Sequence, residues 1–167
     1  VEEPKYWGNL NTMFRYKGIT LNAVFAYRCG GQMYNYTLIN KVENILPFDN
    51  ADKRVLYDRW KEPGDKADFP MNRLETGLGS FNSYTTANVE SVNYLKLKTL
   101  VLGYTLPEVI RKKLKLGIRF FVSGENLFTW TNYTGADPES VGLITGVDNL
   151  GNYPLARRVT FGLTLNL

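Results

Sequence analysis

Residues 159–167 read V-T-F-G-L-T-L-N-L. Val159, Phe161, Leu163, Leu165 and Leu167 take every second position, and Thr160, Gly162, Thr164 and Asn166 between them are small or polar. A period of two belongs to a β-strand with one apolar face. The pattern runs to Leu167, at an end where soluble domains usually fray. It predicts a strand that closes a larger sheet.

Four further segments carry the same pattern: Leu10–Tyr16, Ile19–Arg28, Tyr94–Tyr104 and Leu116–Glu125. Only Lys17-Gly18 separate the first two, a two-residue hairpin connection with glycine available for positive φ. A long segment, about residues 29–93, leads to the third strand. Thr105–Lys115 joins the third to the fourth, with one helical turn after Pro107. Residues 126–158 lead to the fifth. Connections that alternate short and long are those of an outer-membrane barrel, with tight periplasmic turns and long outer loops. Compact soluble domains seldom hold two structureless loops of such length.

One face of these strands is free of charge, reading Leu10, Thr12, Phe14, Tyr16 on the first and Ile19, Leu21, Ala23, Phe25, Tyr27 on the second. Leu95, Leu97, Thr99, Val101, Gly103 and then Leu116, Ile118, Phe120, Val122, Gly124 continue it. The other face carries Arg15, Arg28, Lys96, Lys98, Arg119, Glu125 and Arg158. Tyr16 and Ile19 flank the two-residue turn, so they must share a face. Both are apolar, which checks the register independently of hydropathy. A sandwich core face would also lack charge. Strict alternation puts Leu100 and Leu102 on the polar face, which predicts an apolar filling against it, as a plug would supply. Five strands cannot close a membrane barrel, which needs about eight or more, and lipid cannot cover an open edge. The lipid reading therefore predicts a larger barrel whose remaining strands lie N-terminal, with the last strand pairing the fourth along one edge only.

The net charge is +4, and the densest basic run, Arg111–Lys115, follows a proline as a turn or helix end would. Nothing in this points to nucleic acid. Cys29 is the single cysteine and there is no histidine. This excludes an internal disulfide, Cys-based zinc clusters, and catalytic triads or metal sites built on histidine. No apolar run is long enough for a membrane helix. Asn35-Tyr36-Thr37 and Asn132-Tyr133-Thr134 match the glycosylation sequon, which matters only in a secreted eukaryotic protein.

Several stretches together resemble one family. YLKLKTLVLGYTLP (residues 94–107) and VSGENLFTWTNYTGADPE (residues 122–139) resemble blocks of the SusC/RagA family of TonB-dependent transporters. So do Tyr16-Lys17-Gly18, Arg59-Trp60 followed by Pro63-Gly64-Asp65, and Gly151-Asn152-Tyr153-Pro154 before the last strand, in the same order over essentially the whole chain. The resemblance implies an all-β fold: the five C-terminal antiparallel strands of a 22-stranded transmembrane β-barrel, with its plug and remaining strands absent from residues 1–167. It implies TonB-coupled import of oligosaccharides, or in some members peptides, across the outer membrane of a Gram-negative cell. A SusD-like surface lipoprotein is the implied partner, and the TonB complex engages the absent N-terminal part. No cofactor is implied. Thr160, Gly162, Leu165 and Leu167 resemble the signal read by the barrel-assembly machinery, although family members often finish on an aromatic residue where this chain has Leu167.

Candidate contacts lie in the long loops. Arg59, Trp60 and Asp65 shape the outer mouth or meet the lipoprotein on the functional reading. On the structural reading, which we favour, Pro63-Gly64-Asp65 is turn chemistry, Arg59 and Asp65 pair within the loop, and Trp60 anchors a helix at Asn50–Lys61. Trp130, Tyr133 and Tyr153 offer faces for sugar rings, or form an interfacial belt and loop packing, where Trp130 and Tyr133 follow the fourth strand at once. Asp137 and Glu139, with Asp148, are oxygen ligands without calcium-loop spacing. As an acid/base pair they lack a nucleophile. A solvated turn is the expectation for them, and a hydrated, ion-paired lumen for the basic face. No residue recommends an enzyme. The alternative to a transporter segment is a soluble β-rich carbohydrate-binding module.

Overall fold

The computed structural model describes residues 3–43, 50–71, 85–139, 146–148 and 153–166. Lys17 and Gly18 both have positive φ, 45° and 86°, the mirror-image turn whose twist matches two flanking strands. They join β1 (Tyr6–Tyr16) to β2 (Ile19–Cys29) in unbroken register, from Tyr16 opposite Ile19 to Tyr6 opposite Cys29. A Cβ on Gly18 would stand 2.6 Å from the Thr105 carbonyl oxygen, so the neighbouring strand end excludes any larger residue there.

After β2 come the short β3 (Gln32–Tyr34) and the helical turns α1 (Tyr36–Leu38) and α2 (Arg54–Tyr57). The short β4 (Val89–Ser91) then pairs with β3. Next are β5 (Tyr94–Thr105), α3 (Glu108–Leu114), β6 (Gly117–Thr131) and β7 (Arg158–Asn166). The main sheet is an antiparallel meander in the order β1-β2-β5-β6-β7. All five predicted strands and the turn after Pro107 form. The predicted helix at Asn50–Lys61 shrinks to α2. Asp52 accepts the backbone N–H of Arg54 at 2.9 Å, and the chain leaves the helix when Trp60 gives its N–H to the Phe69 carbonyl. β6 runs beyond Glu125 to Thr131, because Asn126 takes positive φ (52°) inside the strand rather than ending it.

β5 departs from strict alternation. Val24 of β2 faces Thr99, yet Phe25 faces Leu97, leaving Lys98 as an extra residue. β6 adds one more: Leu97 faces Phe128, while Thr99 faces Glu125. A bulge reverses which parity of the strand faces which side. Leu95 and Leu97 therefore share the apolar face with Phe25 and Tyr27. Past the bulge Leu100, Leu102 and Tyr104 take over, opposite Ala23, Leu21 and Ile19. Leu100 and Leu102 are not on the polar face, and the apolar filling expected from them has no basis; Thr99, Val101 and Gly103 stand there instead. Corrected in this way, the apolar face carries no charge on any of the five strands.

β7 pairs with β6 from Asn166 opposite Gly117 to Arg158 opposite Glu125. Among the described residues its other edge is unpaired, as is the outer edge of β1. Leu167 lies outside the described residues. A small core under the long connections gathers Met33, Val92 and Tyr133, with Tyr94 packed against them.

Candidate functional site on the polar face

Lys96 and Lys98 stand on either side of Leu97, where the bulge begins. Over them folds the turn Asp137-Pro138-Glu139. The Asp137 carboxylate closes this turn by accepting the Glu139 N–H at 3.0 Å, and it also accepts the Leu155 N–H at 3.3 Å. Its Oδ2 meets the Lys96 ammonium at 2.9 Å, and Glu139 meets the same ammonium at 3.0 Å. Glu139 also pairs with Lys98. The Lys96 and Asp137 side chains are almost fully buried. Burial alone would raise the Asp137 carboxyl. The Glu139 N–H and the Lys96 ammonium, with help from the Leu155 N–H, outweigh it and hold the group below its ordinary value. The expected solvated turn is thus a buried latch that ties a loop to the wall.

A second set of contacts stitches the two long connections together. Asn35 caps α1 by accepting the Leu38 N–H at 2.9 Å, and its amide donates to Glu90 at 2.8 Å and to Thr134 at 3.2 Å. Glu90 in turn accepts the Thr134 N–H at 2.9 Å and its hydroxyl at 2.7 Å. Asn35 is buried, so this sequon is closed to a glycan. Tyr34 bridges to the segment around Val147, donating to Gly146 and accepting from Asp148, each at 2.9 Å. The Tyr133 hydroxyl donates to Asp148. Burial, and then that carboxylate, push the hydroxyl far above its usual range.

The predicted site residues separate. Tyr133 belongs to the loop core rather than to a belt. Trp130 is exposed on the apolar face opposite Leu95, stacked on Phe128 with ring centroids 5.9 Å apart. Tyr153 is exposed. Asp148 is engaged by Tyr133 and Asp137 by Lys96, so the carboxylates considered for calcium are divided between two clusters. Arg59 is buried and donates to the Pro70 carbonyl at 3.1 Å. Asp65 gives its carboxylate to the N–H groups of Lys61 and Glu62, each at 3.1 Å, rather than to Arg59. Arg59 and Asp65 nevertheless line one polar cavity of about 480 Å³, and Trp60 is half-buried beside it. In β7, Thr160, Gly162 and Leu165 face Ser123, Phe121 and Ile118. A Cβ on Gly162 would lie 2.1 Å from the Phe121 ring, which covers the glycine. The sequence shows Asn35 only as a sequon and gives no sign of Glu90. Val89–Ser91 is too short to display a period, and their contacts link residues 55 apart in the chain.

No protein-family model matches the chain. It is 31% identical to TonB-dependent receptor P3 of Formosa agariphila over 97% of this chain and 16% of that protein. It is 27% identical to TonB-dependent receptor P26 of the same organism, again over 16% of its length. The chain thus spans about a sixth of these relatives. Among solved structures, it matches the RagAB peptide transporter with a TM-score of 0.74 and 30% identity, covering 96% of this chain and 17% of that one. The open-open state of the RagAB peptide importer gives 0.72 and 29%, with 98% and 17% covered.

Proposed function

From a chain that belongs to the TonB-dependent receptors of the SusC/RagA family, we propose a segment of an outer-membrane importer. It forms the last five strands of a 22-stranded barrel whose N-terminal plug and remaining strands lie outside residues 1–167. The whole receptor takes up oligosaccharides or peptides by TonB-coupled transport, under a SusD-like surface lipoprotein. The charge-free face of all five strands carries the reading: it fits lipid on one side, while the polar face fits a hydrated lumen. Bulges that keep this face intact support it, because a lipid wall tolerates no inverted half-strand. The latch folds a long connection inward over the lumen wall, and Trp130 fits the aromatic girdle.

Peptides are the first substrates to test, since the RagAB proteins are described as a peptide importer. Arg59, Trp60, Asp65 and Tyr153 lie in the outer connections; Arg59 and Asp65 hold their own loop there and so shape the mouth, and exposed Tyr153 is open to substrate or to the lipoprotein. Thr160, Gly162, Leu165 and Leu167 serve barrel assembly. Cells expressing the full-length receptor with its lipoprotein should take up labelled peptides or oligosaccharides and lose that uptake when TonB is deleted. Recovery of the full-length protein in the soluble fraction without detergent overturns the proposal.

A further inference from the structure

Arg28 is a cation of the polar face that the latch leaves out. It stands on β2 opposite Trp7 of β1 and Tyr94 of β5, an arginine between two aromatic residues in one row across the sheet. Only 7% of it is exposed. Its Nε has no hydrogen-bond partner, and no ion pair among the described residues includes it. With Trp7, Asn9, Ala26, Tyr94 and Glu139 it lines a cavity of about 230 Å³.

A guanidinium brings five N–H donors in a fixed fork, and leaving them unmet away from water is costly. The neighbouring charges do not meet them. Among the described residues, Lys96, Lys98 and Arg28 on the wall face Asp137 and Glu139 on the loop; the Lys96 ammonium lies 2.9 Å from Asp137 and 3.0 Å from Glu139 Oε2, an oxygen held by that charge and by no hydrogen bond, and Lys98 pairs with the other Glu139 oxygen. Three cations thus stand against two anions among the described residues, which leaves this set one negative charge short. The fork fits a carboxylate through two parallel hydrogen bonds. The cavity is smaller than the roughly 300 Å³ at which whole-ligand pockets begin, so it suits one terminal group of a longer molecule. Trp7, largely exposed beside it, offers a flat apolar wall to the atoms that carry the group.

We infer that Arg28 forms a subsite for a carboxylate-bearing group of the substrate, the C-terminus of a peptide or the acid of a uronic sugar. The word substrate rests on the import reading; the binding does not. The test uses the full-length receptor in detergent with four probes: N-acetyl-tetraalanine, its amide, trigalacturonic acid and its methyl ester. In at least one pair the acid should bind about tenfold more tightly than the neutral form, the scale of a charge-assisted hydrogen bond. Arg28→Gln should abolish that preference, and Arg28→Lys should keep part of it, as a point charge without the fork. The pair that shows the preference identifies the source of the carboxylate.

Equal binding of acid and neutral forms, no binding of any probe, or a preference that survives Arg28→Gln overturns the inference. A site filled by a carboxylate of the receptor's own N-terminal part gives the second of these results. Should Arg28→Gln fail to assemble, Arg28→Lys and the wild-type comparison decide. Acid-selective binding without cellular uptake would keep the subsite and remove the import reading. Uptake with no acid preference would do the reverse.

Discussion

Lys96 is 1% exposed and holds two carboxylates from a turn 41 residues further along the chain. Breaking a buried pair from one side strands the other charge, which costs about 3–5 kcal/mol. Lys96→Met should therefore release the latch, and the N–H groups of Glu139 and Leu155, both held by Asp137, should exchange with deuterium about a hundredfold faster. Exchange of these two amides in the full-length receptor checks it; unchanged rates would mean that the turn stands without the lysine. The pH dependence has a definite sign. The folded Asp137 carboxyl lies below its ordinary value of 3.8. Its contribution is complete above that value and is lost only as the pH falls through the folded one. Protection of Glu139 and Leu155 should stay level through mildly acidic conditions and fall only below the ordinary carboxylate range. In the sequence, the basic strand face and the acidic turn were each visible. No local spacing joins them, so each was read as meeting water or distant partners when they meet each other.

At the scale of elements, the bulge at Lys98 decides what each side of β5 touches. The hairpin at Lys17-Gly18 was legible because turn chemistry is local to two residues. The bulge was not, because an extra residue is defined only against the partner strand, and YLKLKTLVLGYT alternates acceptably in either parity. The same reasoning explains Asn126: by sequence it opens the long connection after Glu125, but paired neighbours on either side make it part of a second bulge within β6. Single cysteines placed on a cysteine-free receptor separate the two parities. Thr99→Cys and Val101→Cys should react with a membrane-impermeant maleimide at least about tenfold faster than Leu100→Cys and Leu102→Cys, since lipid withholds the thiolate-forming water that such chemistry needs. Strict alternation from Leu95 requires the opposite ranking. Fast labelling at Leu102 with slow labelling at Val101 would restore the uncorrected faces and the apolar filling they imply.

The whole segment has a surface that water alone cannot satisfy. Phe161 is 78% exposed, Leu10 60% and Phe120 51%, all on the one charge-free face. Soluble monomers rarely expose contiguous apolar patches beyond a few hundred Å², and here five strands contribute to one patch. Among the described residues the polar face is covered by the latch over only part of the sheet. Both outer strand edges, among the described residues, also offer unpaired backbone groups, which invite association with other chains when nothing pairs them. Residues 1–167 expressed alone should therefore collect in aggregates and, when refolded in detergent-free buffer, give no cooperative unfolding transition by circular dichroism. Detergent micelles should recover β-structure by covering the apolar face, while the open edges leave the sheet prone to association. A soluble monomer with a single sharp transition would mean that this face packs on something within the chain itself. In that case the charge-free surface is a core rather than a lipid wall, and the segment is a β-rich binding module.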